Sequence, residues 1–317
     1  MPTPPPVLGA LDPEAPLPFG PHSVVRAVVA EPVTALLVQR ALVMEVAHPK
    51  VAAAVAHHSD FQRHPLSRAW VTADAALRLV FGDEHVARAA ARQIYAVHDH
   101  INGPVDGSLE GPLEGPARAG GTVADDGGAH AYTAHDAALL AWVWATLVDT
   151  AETAFTRWVR PFEGTEAEAY YDEMRRFALF LGIPDALLPI GRVAFAAHLE
   201  DVMASDLLGT TEQARSMARQ VLWFDHRVVP SHLVRVERVL ALATLDPRLV
   251  DRLGIGPDAS DLAWGRRIDG WLRTYYRRVP RPSRIVPALY VLMRRPTIGL
   301  GTRARAVLGQ IPAIPRR

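Results

Sequence analysis

From Ser23 onward the apolar residues of this chain recur at intervals of three and four, and the strict alternation of a half-buried strand is nearly absent. That feature confines the chain to helix-on-helix packing, because without strands there is no sheet on which a helix could bury its apolar face. With 317 residues, 49% of them apolar, there is material for one large core. The expected fold class is all-α, with a single large multi-helix domain over 23–317. A Pro-rich flexible arm precedes it at 1–22, holding Pro2, Pro4, Pro5, Pro6, Pro13, Pro16, Pro18 and Pro21.

Punctuation residues divide the helical pattern. The spacing predicts helices over 33–45 and 51–57, interrupted at Pro49. Pro65 suits the first position of a helix reaching Phe81, Gly82 its C-terminal cap, and Asp83 the start of a helix that runs to about Ile101. Residues 102–131 contain eight glycines and read as a loop insertion. A long helix is predicted over 134–159, with Thr133-Ala134-His135-Asp136 as its capping box, and Thr165-Glu166-Ala167-Glu168 reads as a second box. Further helices are predicted at about 191–207, 211–223, 231–243, 258–276 and 284–293.

Composition narrows the chemistry. The formal net charge is zero, which argues against a nucleic-acid partner, since a phosphate backbone calls for a surplus of base. Cysteine is absent, so disulfides, iron–sulfur clusters, thiolate-ligated iron and cysteine-type zinc sites are excluded. Any haem iron must take its protein ligand from His, Met, Tyr or Lys, and Lys50 is the sole lysine. No basic stretch leads into a hydrophobic run at the start, and charged residues interrupt every apolar stretch short of a membrane span. A cytoplasmic location is the expectation.

Nine of the thirteen histidines fall between His48 and His135. Within that region Arg68 and Thr72 stand four apart and share a helix face, with Trp70, Val71, Leu77 and Leu79 as apolar neighbours. His98 lies on the following helix, with Ala91, Ile94 and Ile101 at helical spacing. A histidine on an apolar face opposite an arginine suits haem: imidazole for iron, apolar contacts for the macrocycle, guanidinium for a propionate. A packed helical pair with a hydrogen-bonded histidine has the same spacing.

Several motifs in order carry a resemblance. These are Ala47-His48-Pro49-Lys50-Val51-Ala52, His58-Ser59-Asp60-Phe61, Arg68-x-x-x-Thr72, Phe81-Gly82-Asp83, His98-x-x-Ile101-x-Gly103, and Tyr132 through Leu147. Over roughly residues 25–210 the chain resembles the latex-clearing-protein/MpaB oxygenase family. The resemblance implies an α-helical fold with a globin-like core and non-covalently bound haem b. It implies His98 as the axial iron ligand, with Arg68 and Thr72 in the haem pocket. It further implies oxygenase or oxidase action on a small apolar substrate, isoprenoid or aromatic, with O2 or peroxide as the oxidant.

The departures concern the distal side. The rubber-cleaving branch has a lysine directly before the pocket threonine, and Val71, which cannot ligate iron, stands there instead. That branch also uses a glutamate upstream of the arginine, but between His48 and Arg68 the only acid is Asp60. The family's usual Asn-Asp-Pro is His135-Asp136-Ala137 here, and Trp144 replaces a frequent histidine. Other readings of the same residues are a haem carrier or gas-binding protein without turnover, a haem-less helical binding protein, and a di-iron bundle. The last needs two Glu-x-x-His pairs, of which Glu45-Val46-Ala47-His48 is one.

Overall fold

The computed structural model describes residues 9, 11–12, 15–20, 22–58, 65–105, 131–224 and 230–284, with 65–70 and 131 described by backbone alone. Among them are thirteen α-helices and one two-stranded sheet, so the protein is all-α. The helices are α1 (Val24–Val29), α2 (Pro32–Ala35), α3 (Val38–Ala47), α4 (Pro49–His58), α5 (Pro65–Phe81), α6 (Glu84–His98), α7 (Ala137–Ala154), α8 (Glu166–Phe180), α9 (Arg192–Ala204), α10 (Glu212–Leu222), α11 (Ser231–Leu242), α12 (Pro247–Leu253) and α13 (Ala259–Arg278). The short strands β1 (Asn102–Pro104) and β2 (Ala131–Thr133) pair antiparallel.

Helix α3 is central, packing against α4, α7, α10 and α11. Its Val43, Met44, Val46 and Ala47 meet Met217, Ala218, Val221 and Leu222 of α10 in one apolar cluster. A second cluster joins α1, α6, α7 and α8 through Val25, Val28, Ala90, Ala91, Trp144, Val148, Tyr170 and Tyr171. The described part of the Pro-rich stretch is tied to this cluster. Phe19 is buried with its ring 5.4 Å from that of Phe177, and the Gly9 N–H donates to the Gly182 carbonyl at 2.9 Å.

Several boundaries differ from the sequence reading. The helix predicted over 33–45 is broken at Leu36–Leu37, where the backbone N–H groups bond back only three residues, to Val33 and Thr34. The break lets Val33 and Leu37 both bury completely beside Ala154, Leu240 and Tyr276. The interruption at Pro49 is present, but Pro49 itself opens α4, two residues earlier than expected. Asp136 itself caps α7, accepting from the Ala138 and Leu139 N–H groups, so Thr133 does not serve as the cap. Thr165 makes no capping bond with its side chain; Glu166 instead accepts from the Glu163 N–H and from Arg160. α7 ends at Ala154 in a π-helical turn, Phe155–Val159.

Helix α12 was not anticipated, although Asp246 as cap, Pro247 at the first position and a left-handed Gly254 at the end are readable signals. The strand pair was missed because three residues per strand are too few to alternate visibly. Most of the expected helix over 284–293 and most of the Gly-rich stretch, 106–130, lie outside the described residues.

The α5–α6 hairpin positions the candidate site. Ala87, Ala90 and Ala91 are buried on α6, and Asp83 caps it, accepting from the Val86 N–H at 3.0 Å. Gly82 allows the tight turn by close approach. A Cβ there would stand 2.3 Å from the Arg78 carbonyl oxygen and 2.7 Å from Val86 Cγ1. Gly82→Ala is therefore expected to destabilise the protein by about 1–3 kcal/mol, read as a lowered urea midpoint. An unchanged midpoint would show that the turn relaxes at no cost.

Candidate functional site

The two-residue connection makes α5 and α6 antiparallel neighbours. The start of α5, with Arg68, Val71 and Thr72, therefore lies at the same end of the hairpin as His98, the last residue of α6. Arg68 is on the first turns of α5, and its side chain lies outside the described residues. Thr72 is exposed, and so are Val71 at 52% and Val97 at 46%. This end of the hairpin thus presents apolar surface beside a histidine.

His98 is half-buried and its ring stands edge-on to that of His135, with centroids 6.2 Å apart. Burial pushes its pKa below the ordinary imidazole value, and His135 pushes it further, against the opposing pull of Asp99. The neutral ring is the form that carries a free lone pair for a metal. His135 is held in turn, with its Nε2 2.8 Å from the Asp99 carboxylate. Tyr95, one turn before His98, has its hydroxyl 2.7 Å from the Leu181 carbonyl and 2.9 Å from that of Gly9, which fixes the end of α6 against α8.

Two other histidines serve the strand pair. His57 Nδ1 lies 2.9 Å from the Tyr132 hydroxyl, and His58 Nε2 lies 3.0 Å from the Asn102 carbonyl, to which it donates. His85 and His100 are exposed. His64 and His130 lie outside the described residues. Ile101 packs with Ala53, Tyr132 and Leu139, so it belongs to the strand-pair cluster.

A second polar group, which sequence reasoning did not assemble, lines the seam between α3 and α7. Glu45 Oε1 is 3.5 Å from Thr146 Oγ1, and desolvation pushes the carboxyl up to about 7. His48 Nδ1 accepts from the Lys50 N–H at 3.2 Å. Burial holds His48 down to about 4; Lys50 lowers it further and Asp136 opposes. Lys50 Nζ is 3.8 Å from Asp136 Oδ2. Glu45-x-x-His48 was visible as a motif, but its partners on α7 are about a hundred residues away in the chain.

The donor set bears on the cofactor. Among the described residues no three His, Asp or Glu side chains converge as metal ligands, so the second pair that a di-iron centre requires is not found there. Haem iron asks the protein for a single axial donor and an apolar face; His98 is the candidate donor, and Val71 and Val97 are exposed apolar side chains at the same end of the hairpin. A cavity of about 320 Å³ between α3, α7 and α9, lined by Arg40, Met44, Asp149, Glu152, Arg192 and Phe195 among others, shares no residue with this group. Arg40 pairs with Asp149 and Arg192 with Glu152 across it, while its Glu200 and Asp246 pair with Arg248 outside the lining.

The family described as "ER-bound oxygenase mpaB/B'/Rubber oxygenase, catalytic domain" matches residues 25–274. No curated protein and no solved structure matches the chain.

Proposed function

The chain belongs to the mpaB/rubber oxygenase catalytic-domain family, and from that premise we propose that it is a haem-b-dependent oxygenase with His98 as the axial iron ligand. The observation that carries this reading is a half-buried imidazole at the end of α6, at the same end of the hairpin as the exposed Val71 of α5. The matched stretch contains every residue proposed to act. Haem, when bound, supplies the redox chemistry of O2 or peroxide activation.

The chain's own residues supply binding and orientation. His98 would supply the iron ligand. His135, bonded to Asp99 and packed edge-on to His98, restrains the angle of the imidazole. Arg68 provides a cation for a propionate or a polarised oxygen, and Thr72 a hydroxyl nearby. Val71 offers no lone pair, so it would not ligate the iron. Val71 and Val97, exposed apolar side chains at this end of the hairpin, favour an apolar substrate, isoprenoid or aromatic. Catalysis in the cytoplasm is part of the same reading.

Purified full-length protein, expressed with haem supplementation, is expected to show a Soret band that His98→Ala removes. A colourless wild-type protein, or a band unchanged in His98→Ala, overturns the assignment. Oxygen consumption with terpenoid or phenolic substrates then separates an oxygenase from a carrier.

A further inference from the structure

The zero net charge conceals a strong asymmetry. Residues 266–317 hold thirteen arginines and one acid, Asp269. Among the described residues this charge is concentrated on one side of α13. Gly265, Leu272 and Tyr276 are buried along the inner side, which packs on α11 and on the π turn. Arg266, Arg273 and Arg277 form one outer row at helical spacing, and Arg267, Trp271 and Arg278 form the neighbouring row. All six are exposed.

Asp269 lies toward the protein body, where Arg157, Trp158 and Arg273 bond its carboxylate. It therefore offsets Arg273 but not the other four outer arginines. Trp271 is 59% exposed and stacks on Tyr275 with centroids 5.2 Å apart. An exposed indole interspersed with arginines is not a surface that water alone favours.

We propose that the outer side of α13 docks on the surface of an anionic lipid bilayer. The arginines bind headgroup phosphates, and Trp271 enters the boundary layer between headgroups and acyl chains. Charge complementarity selects the anionic surface. The exposed indole among the arginines suits a bilayer interface, where an amphipathic ring sits between headgroups and acyl chains. Attachment is peripheral, since among the described residues no helix is long and apolar enough to cross a membrane. The proposal is independent of haem.

Co-sedimentation of the full-length protein with vesicles tests it. Binding to phosphatidylcholine vesicles containing phosphatidylserine is expected, with little binding to phosphatidylcholine alone and a steep decline with added salt. The quadruple variant R266Q/R267Q/R277Q/R278Q should bind several hundred-fold more weakly, at about fivefold, or about 1 kcal/mol, for each arginine. Trp271→Ala should weaken binding several-fold. R92Q/R176Q, which neutralises exposed arginines on α6 and α8, should bind like wild type. Far-ultraviolet circular dichroism of each variant should match wild type, because all the substituted residues are exposed. Equal binding to neutral vesicles, full binding by the quadruple variant, or tighter binding to a single-stranded RNA oligonucleotide than to anionic vesicles would overturn the proposal.

Discussion

Glu31→Gln is expected to cost about 3–5 kcal/mol of folding free energy, the loss typical of breaking a buried ion pair. Glu31 stands at the N-terminal end of α2 and its side chain is fully buried. It makes no capping bond there, because its carboxylate is turned toward Arg281 and Arg284. Arg281 Nε donates to Oε1 at 3.1 Å, and Arg284 donates to both oxygens at 3.1 Å. Arg284 also donates to the Tyr276 and Val279 carbonyls and lies 4.7 Å from the Tyr276 ring centroid.

The variant amide would leave two desolvated guanidinium groups without a counter-charge. The same site also seats the Tyr276 hydroxyl, which accepts from the Val33 N–H at 3.0 Å. Damage should therefore spread across the junction of α1, α2 and α13. Urea unfolding measures the cost, with the slope unchanged if both states keep their compactness. Replacing Glu31 by Gln together with Arg281 and Arg284 by Met should recover much of the loss, because the orphaned charges are then removed. A loss under about 1 kcal/mol in the single variant would mean that water reaches the arginines.

The second large effect is a pH dependence located at Glu45. Its carboxyl is pushed up to about 7 from an ordinary 4.5, chiefly by desolvation. Between those values the folded protein holds a proton that the unfolded chain releases. The contribution of Glu45 to stability is therefore full below pH 4.5 and lost as pH rises through 7. Glu45→Gln stays neutral throughout. Relative to wild type it should gain as pH rises from 5 to 8, by up to about 3 kcal/mol at about 1.4 kcal/mol per pH unit.

His48 acts in the opposite sense. Held at about 4, it contributes fully above 6.5 and loses that contribution as pH falls through 4. Because His48 is common to wild type and variant, the difference between their urea midpoints isolates Glu45. The same holds for Glu237, also pushed up to about 7 by burial. A difference that is flat from pH 5 to 8 would show that Glu45 titrates normally.

The helical class, the α5–α6 hairpin and most helix boundaries were legible in the sequence. Their signals are local: apolar period, a capping aspartate and a proline or glycine act within a turn or two of the residues they govern. His98 was legible for the same reason, as a histidine at the end of a well-marked helix, and the motif order pointed to the family that the comparison then matched. The break at Leu36–Leu37 was not, because nothing local forbids a continuous helix there. The need to bury Val33 and Leu37 against distant α11 and α13 imposes it.

The sequence by itself thus determined that this protein is a helical oxygenase-family domain with His98 placed opposite the start of α5. Only the tertiary structure showed what surrounds His98: His135 against its ring, Asp99 holding His135, and Tyr95 anchoring the helix end to α8. It likewise showed that Glu31 meets arginines some 250 residues away and that Glu45 faces Thr146 across a seam. Contacts at such separations leave no periodic trace in the chain. They are set by which helix faces pack together and by how much water each face excludes, and that exclusion shifts the carboxyl of Glu45 and the imidazoles of His48 and His98 from their ordinary values.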